Sequence, residues 1–138
     1  MSDFRFVKPV EVRFRDCDPM GHVNNAVYLT YLENARFAYW REVVGAGGLT
    51  DPTFILARLE CDFRAPATMG DLLDVKIRVD SIGRSSFVFA YQILQRNDGR
   101  VVADARSVQV MYDYSQARSI PVPDAVRAAF ERFEGNRS

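Results

Sequence analysis

Apolar and polar residues alternate along five segments of the chain, which is the period of a strand with one buried face. In the first segment, Val10, Val12 and Phe14 alternate with charged residues, and the pattern predicts a strand that runs into Asp16. Asn97-Asp98-Gly99 is a hairpin turn signal between the last two segments. The four longer segments have their inward-facing positions within 55–65, 73–79, 87–93 and 101–112. These segments predict a mostly antiparallel sheet.

A long helix is predicted between the first strand and the second. Pro19 and Gly21 break regular structure, an Asn at position 24 or 25 caps the helix, and Gly45 ends it after Val44, with further glycines at 47 and 48. About twenty residues give a length of roughly 30 Å, enough to cross a small domain. Polar residues form only a narrow stripe on this helix, through Thr30, Glu33, Asn34 and Arg41. We therefore expect the sheet to wrap it.

A short amphipathic helix is predicted at Asp124–Glu134, and we expect it to pack on an outer edge. One strand, one long buried helix and a run of antiparallel strands make an α+β arrangement. In this arrangement a curved antiparallel sheet is wrapped around one long central helix. The sequence shows no linker and no internal repeat, so residues 1–138 are predicted to form one domain.

Composition narrows the possible functions. Eighteen basic residues balance eighteen acidic ones, so no net charge attracts the chain to nucleic acid or to an anionic membrane. The N-terminal residues lack the apolar run of a signal peptide, and no segment is long and apolar enough for a membrane span, so a cytoplasmic protein is expected. Cys17 and Cys61 are expected to be free thiols, and the single histidine, His22, argues against a metal site.

Two acids, Asp16 and Asp18, stand just before the predicted helix. A carboxylate beside a helix N-terminus is a catalytic arrangement, because the free N–H groups of the helix can stabilise an oxyanion. In an extended stretch both acids share one face and Cys17 points the other way, so spacing alone does not choose between them. Either acid could instead cap the helix or brace the loop. The same alternation argues against a Cys17–His22 dyad.

Three segments resemble the 4-hydroxybenzoyl-CoA thioesterase family of hotdog proteins. The first is Asp-Cys-Asp-Pro-Met-Gly-His-Val-Asn-Asn at 16–25, followed by Tyr28 and by residues 33–36. The second is Arg-Ala-Pro-Ala-Thr-Met-Gly-Asp-Leu-Leu at 64–73, and the third is Ser-Ile-Gly-Arg-Ser-Ser-Phe at 81–87. Together they extend over most of the chain in the family's order. The resemblance implies the hotdog fold and hydrolysis of a coenzyme A thioester.

The resemblance also implies residue roles. Asp18, the second acid of the pair, matches the family's catalytic aspartate and would act as a nucleophile or as a general base. The backbone N–H of Asn25 would polarise the thioester carbonyl, with help from Gly21 or His22. Asn25 stands where some relatives have an aromatic residue or a histidine, which affects substrate preference more than mechanism. Tyr28 would line the acyl pocket.

The coenzyme and the assembly are implied in the same way. The coenzyme's phosphates would lie against the hairpin residues Arg84, Ser85 and Ser86, with Arg58 and Arg64 as weaker candidates. The family's pocket forms between subunits, so a homodimer or a homotetramer is expected. No cofactor is expected beyond the coenzyme A of the substrate.

The leading hypothesis is therefore an acyl-CoA thioesterase that releases a free carboxylic acid and coenzyme A. Two alternatives stay open: a module that binds acyl-CoA without cleaving it, and a thioesterase acting on acyl carrier protein. A hotdog dehydratase or hydratase ranks last, because His22 lies in the wrong element for proton abstraction. The sequence does not identify the acyl group.

Overall fold

The computed structural model describes residues 4–45 and 53–135. The sheet strands are β1 (Phe6–Glu11), β2 (Phe54–Phe63), β3 (Leu72–Ile82), β4 (Ser86–Gln95), β5 (Val101–Asp113) and the short β6 (Arg118–Ser119). The helices are α1 (Asn25–Tyr39), which continues as a π-helical turn (Trp40–Val44), and α2 (Asp124–Glu134). A 3₁₀ turn (Phe14–Asp16) follows β1. The predicted glycine positions 47 and 48 lie outside the described residues.

The strands form one antiparallel sheet in the order β1-β3-β4-β5-β2, with β6 paired to β5. Alternate residues of β3 and β4 are buried, and their positions are the predicted ones: 73, 75, 77 and 79 in β3 and 87, 89, 91 and 93 in β4. Gly99 takes φ +75° in the predicted hairpin turn before β5. The predicted α+β fold, with a curved antiparallel sheet around one long helix, is confirmed.

One face of helix α1 packs against this sheet. Asn24 caps it, because the side-chain oxygen accepts the N–H of Ala26 at 2.9 Å. The helical turns end at Gly45, as predicted. The predicted polar stripe is exposed, and Leu32 and Ala35 are fully buried. Leu29 and Phe37 are also exposed, although the apolar pattern placed them on the covered part of the helix. Within the described residues, no helix has the length and apolar character to cross a membrane.

One charged residue of α1 faces the interior. Arg36 is buried, and its guanidinium donates a hydrogen bond to the Tyr91 hydroxyl at 3.2 Å. Tyr91 is hydrogen bonded to Ser107, which donates to Gln109, whose amide donates to the Phe87 carbonyl at 3.1 Å. This chain of bonds supplies partners for the buried polar groups of α1, β4 and β5, as burial requires.

Helix α2 does not lie on an outer edge, contrary to the expectation. Phe130 is fully buried against the rings of Trp40 and Phe87. The Tyr39 hydroxyl donates to Glu134 at 2.6 Å, and the N–H of Val79 donates to the same oxygen at 3.0 Å. Helix α2 therefore closes the main core at the C-terminal end of α1, because its aromatic face fills that end.

The first strand differs from its prediction. It begins at Phe6 and ends at Glu11, and the chain then turns through the 3₁₀ segment. Val12 is buried as expected, but Phe14 is 81% exposed. The reason is Asp16, which is 3% exposed. Its carboxylate is drawn into the protein, and the turn that buries it directs Phe14 outward.

The second strand also departs from strict alternation. Its register shifts between Leu56 and Arg58, where a bulge leaves Ala57 without a partner on β5. A bulge reverses which side chains face inward. Ile55 and Ala57 are therefore exposed, although the pattern placed them inside, whereas Leu59 is half-buried as predicted.

Asp16 ties the loop before α1 to the helix itself. Its carboxylate accepts the Tyr31 hydroxyl at 2.8 Å, the Arg13 backbone N–H at 3.0 Å and the Arg13 guanidinium at 3.0 Å. Its carbonyl accepts the N–H of Asn24 at 2.9 Å. Burial by itself would raise the pKa of Asp16, but the hydrogen bonds from Arg13 and Tyr31 outweigh burial and hold the pKa below its usual value.

Replacing Tyr31 by Phe is expected to lower the free energy of unfolding by about 1–3 kcal/mol at pH 7, because a buried carboxylate loses a donor. The pKa of Asp16 is lower in the folded state, so its stabilisation is full above the ordinary aspartate pKa and is lost as the pH falls through the folded value. The difference between wild type and Asp16→Asn should therefore shrink below about pH 4. Urea unfolding across pH measures both effects.

Glu33→Gln is the matched control, because Glu33 is an exposed acid on the same helix. It should change the free energy of unfolding by less than about 0.5 kcal/mol. An Asp16→Asn variant as stable as wild type at pH 7 would contradict the bracing role.

Candidate active site

The loop between the 3₁₀ turn and α1 is a tight reversal. Cys17 pairs with Val23 across it, and the N–H of Asp18 donates to the His22 carbonyl at 2.8 Å. Gly21 has φ +84°, a conformation that side chains other than glycine rarely adopt. The second arm of the loop is held in place by the chain after β2, where Val23 donates its N–H to the Ala67 carbonyl at 2.9 Å.

The Asp18 carboxylate is half-buried at the tip of this loop. Its Oδ1 accepts the backbone N–H of Met20 at 2.9 Å and that of His22 at 3.3 Å. The other oxygen, Oδ2, makes no hydrogen bond to any residue that the structure describes. One oxygen therefore fixes the side chain, and the other is available to a substrate.

The start of α1 supplies an open donor. The N–H groups of Ala26 and Val27 both donate to Asn24, at 2.9 Å and 2.8 Å. The N–H of Asn25 donates to no acceptor within residues 4–45 and 53–135. The first turn carries no acidic side chain, so nothing within it neutralises the positive end of the helix dipole.

The other two proposed donors are occupied. The N–H of Gly21 donates to the Asp18 carbonyl at 2.9 Å, and that of His22 donates to the Asp18 carboxylate. Neither amide is therefore open to a thioester carbonyl in this conformation. Asn25 remains as the free backbone donor of the three.

Asp18 and Asn25 line the same cavity, which has a volume of about 300 Å³. His22 and Tyr28 are also on its wall, so four of the residues selected from the sequence come together there. The full lining is Asp18, His22, Val23, Asn25, Tyr28, Phe63, Arg64, Ala65 and Pro66. This cavity is the candidate active site.

Tyr28 forms the buried side of the cavity. Its ring packs on Phe63 with centroids 5.5 Å apart and on Tyr31 at 6.0 Å. The hydroxyl of Tyr28 is neutral near pH 7, and burial raises its pKa further above the ordinary value. A neutral ring at this place provides an apolar surface.

A second cavity, of about 560 Å³, lies on the other side of Asp18. It is lined by Phe14, Arg15, Cys17, Asp18, Pro19, Gly21 and Met69. Cys17 is on this wall, and its thiol donates to the Arg13 carbonyl at 3.7 Å. In the described residues no hydrogen bond joins it to His22, so the structure does not form the dyad. Asp18 belongs to both walls.

Arg84, Ser85 and Ser86 are not in the candidate active site. Ser86 pairs with Val110, and Val110 pairs with Ile55 at the beginning of β2. Phe63, on the cavity wall, is at the other end of β2. Ser86 is seven residues along β4 from the strand position level with Phe63, or roughly 23 Å. Within one chain these hairpin residues are too distant to contact a thioester at Asp18.

Phe63 is a wall residue that the sequence pattern did not indicate. Alternation placed it in the core, yet it is 44% exposed, because it borders the cavity. Arg64 is also on the wall, but its guanidinium is paired with Asp104 and with Asp62, the latter at 3.7 Å. Arg58 pairs with Glu60 at 3.4 Å and is not on this wall. Alternation separates core from solvent and contains no signal for a cavity rim.

In the part of the chain that the structure describes, His, Cys, Asp and Glu side chains form no group of three or more that could hold a metal ion. Independence from metals and from a separate cofactor stays a prediction.

Known proteins of similar sequence include named thioesterases. The chain is 27% identical over 126 residues to the long-chain acyl-CoA thioesterase FadM of Escherichia coli K12, a match that spans 90% of this chain and 96% of FadM. It is 26% identical over 137 residues to the chloroplastic acyl-acyl carrier protein thioesterase ATL3 of Arabidopsis thaliana, spanning 96% of this chain and 70% of ATL3.

Among solved structures, a thioesterase of Thermus thermophilus in complex with coenzyme A and zinc superposes with a TM-score of 0.86 and 34% identity, covering 100% of both chains. Residues 12–130 match the family model of the thioesterase-like superfamily. That range contains both cavities, α1 and the main strands β2 to β5. The chain therefore belongs to the thioesterase-like superfamily.

Proposed function

We propose that the protein hydrolyses the thioester of an acyl-CoA and releases a carboxylic acid and coenzyme A. One observation carries this proposal. The open Asp18 oxygen and the open Asn25 N–H belong to residues that line the same cavity. The names of its relatives support the substrate class, since FadM is a long-chain acyl-CoA thioesterase and the Thermus enzyme was solved with coenzyme A. Membership of the 4-hydroxybenzoyl-CoA thioesterase family stays part of the proposal.

Asp18 and the Asn25 N–H both act in the step in which the thioester carbonyl is attacked. The Asn25 N–H donates to the thioester oxygen as it becomes negative, which lowers the barrier to attack on the carbonyl carbon. Asp18 either takes a proton from a water that attacks, or attacks itself and forms a mixed anhydride that water then opens. The carbon–sulfur bond breaks in both routes. The thiolate leaves without a strong general acid, because the pKa of a simple thiol is only about 8.5.

A second candidate function has its own support. ATL3 is named for acyl carrier protein substrates, and the present chain matches 70% of its length. The acyl carrier thioester presents the same carbonyl and sulfur to Asp18, so the cavity chemistry fits both. Thiol release from matched acyl-CoA and acyl carrier protein substrates separates the two functions. A module that binds acyl-CoA without turnover would release no thiol from either.

Asp18→Asn should lower kcat by at least about 100-fold, because the carboxamide cannot accept a proton or form an anhydride. The measurement is release of the coenzyme A thiol, detected with a chromogenic disulfide, across a panel of acyl-CoA thioesters.

The same assay tests the backbone N–H of Asn25 as the donor to the thioester oxygen. Asn25→Pro removes the N–H at the first helical position, where proline is well tolerated, and it should lower kcat by about 100-fold.

The backbone at Asn24 allows this test. Its φ of −64° and ψ of 136° are in the region that a residue before proline prefers. Asn25→Ala is the matched control, since it keeps the N–H and should keep most of the turnover. Equal losses in the proline and alanine variants would assign the effect to the side chain and would contradict the oxyanion role of the backbone.

We further propose that the working form is a homodimer joined through β2. This strand pairs with β5 on one side, and in the described residues its other edge is open. Apolar side chains lie along it, with Ile55 37%, Leu56 43% and Phe63 44% exposed. An open apolar edge is a site for strand pairing.

Antiparallel pairing of two β2 strands would place the Phe54 end of one beside the Phe63 end of the other. Arg84, Ser85 and Ser86 lie at the Phe54 end in their own chain. In the dimer they would therefore approach the candidate active site of the second copy, where they could bind the coenzyme's phosphates. This arrangement would reconcile their distance from Asp18 with the role that the resemblance implies.

Ile55→Asp combined with Leu56→Asp should give a monomer, because the change replaces two of the exposed apolar side chains on this edge and puts two carboxylates from each copy into the interface. Light scattering after size-exclusion chromatography measures the mass. The matched control is Val7→Asp on β1, the other edge of the sheet, where Val7 is 42% exposed. It should leave the oligomer intact. A wild-type protein that runs as a monomer would refute the pairing.

A further inference from the structure

Apolar side chains gather in the second cavity, on the side of Asp18 away from Asn25. Phe14 is 81% exposed and Met69 is 60% exposed, and both line this cavity together with Pro19 and Cys17. Met20, beside Pro19 in the loop, is 79% exposed. A cluster of large, solvent-exposed apolar side chains indicates a binding surface.

The exposure of Phe14 follows from the site's own construction. The pattern of β1 would have placed Phe14 inside, but the 3₁₀ turn that buries Asp16 directs Phe14 to the surface. The same turn leads directly to Asp18. One local structure, the 3₁₀ turn, therefore positions both the exposed ring of Phe14 and the carboxylate of Asp18.

A thioester has two arms that leave the carbonyl in different directions. Asp18 is on the wall shared by the two cavities, so a carbonyl beside it can extend one arm into each. The first cavity has His22, Asn25 and Arg64 on its wall together with the rings of Tyr28 and Phe63, and it lies at the Phe63 end of β2. In the proposed dimer that end meets the hairpin with Arg84, so we assign the coenzyme arm to the first cavity. Tyr28 then contacts the coenzyme arm, in place of the acyl contact that the resemblance implies.

We propose that the second cavity binds the acyl arm and that the substrate is an unbranched aliphatic acyl thioester. This inference rests on the proposed function. The second cavity has a volume of about 560 Å³, which is in the range of small-molecule sites. Phe14 and Met69 provide the contact surface, and the flexible thioether of Met69 adapts to chains of different length. Two charged side chains are on this wall: Asp18, and Arg15, which follows Phe14 in the chain.

The experiment measures kcat/KM for butanoyl-, octanoyl- and dodecanoyl-CoA in wild type, Phe14→Ala, Met69→Ala and the double variant. Wild-type kcat/KM should rise with chain length. The double variant should lose at least about 10-fold with dodecanoyl-CoA and less than about 3-fold with butanoyl-CoA, because a long chain buries more methylene groups against these side chains. Val7→Ala, an exposed apolar position on β1, should leave the profile unchanged.

Affinity is measured in parallel, by calorimetry with dodecanoyl-CoA and with free coenzyme A in the Asp18→Asn background. The double variant should weaken binding of dodecanoyl-CoA at least about 10-fold and leave coenzyme A unchanged. The binding measurement tests the second cavity even if the protein cleaves no acyl-CoA. Absence of cleavage would refute the proposed function but would leave the inference about the cavity standing.

Three outcomes would overturn the inference itself. An equal loss for all chain lengths, or weaker binding of free coenzyme A, would assign the second cavity to the coenzyme arm. An unchanged profile would show that the acyl chain lies elsewhere. A change of oligomeric mass in the double variant, with binding unchanged, would show that Phe14 and Met69 form a contact between copies of the chain.

Discussion

The carboxylate of Asp16 lies inside the protein, where a negative charge is costly unless its oxygens are hydrogen bonded. Arg13 and Tyr31 supply those bonds, one from the segment before the carboxylate and one from the second turn of α1. This requirement fixes the loop to the helix. The direction of Phe14, the reversal at Gly21 and the position of Asp18 before the helix all depend on it.

Two acids separated by one residue thereby take different roles. Asp16 has both oxygens engaged and is 3% exposed, so it is a structural group. Asp18 is half-buried with one oxygen engaged, so it retains an open acceptor. The difference arises from the 3₁₀ turn and the tight loop. The turn buries the Asp16 carboxylate, and the loop places the Asp18 carboxylate on the cavity wall near the start of α1.

Regular alternation made the buried faces of β3 and β4 predictable, because the register shift in β3, between Val79 and Ser81, comes after its last predicted inward-facing residue. The residues that cap and end α1 made that helix predictable. Phe14 and Ile55 could not be predicted in this way. A buried acid two residues later determines the first, and a bulge beside Leu56 determines the second. Both are tertiary effects that a periodic pattern does not contain. The candidate site divides along the same line. Asp18, His22, Asn25 and Tyr28 belong to one short segment, so local sequence was enough to bring them to one cavity. Phe63 comes from a distant strand and required the sheet register. The hairpin with Arg84 was selected by resemblance alone, and a single chain places it at the opposite end of the sheet.

The donor at the start of α1 belongs to the main chain. Any residue except proline provides this N–H, so the side chain at position 25 can vary without removing it. Position 25 also borders the cavity, and its side chain can therefore shape what fits there while the electrostatics of the site stay constant. In such a scaffold, selectivity and reactivity evolve independently.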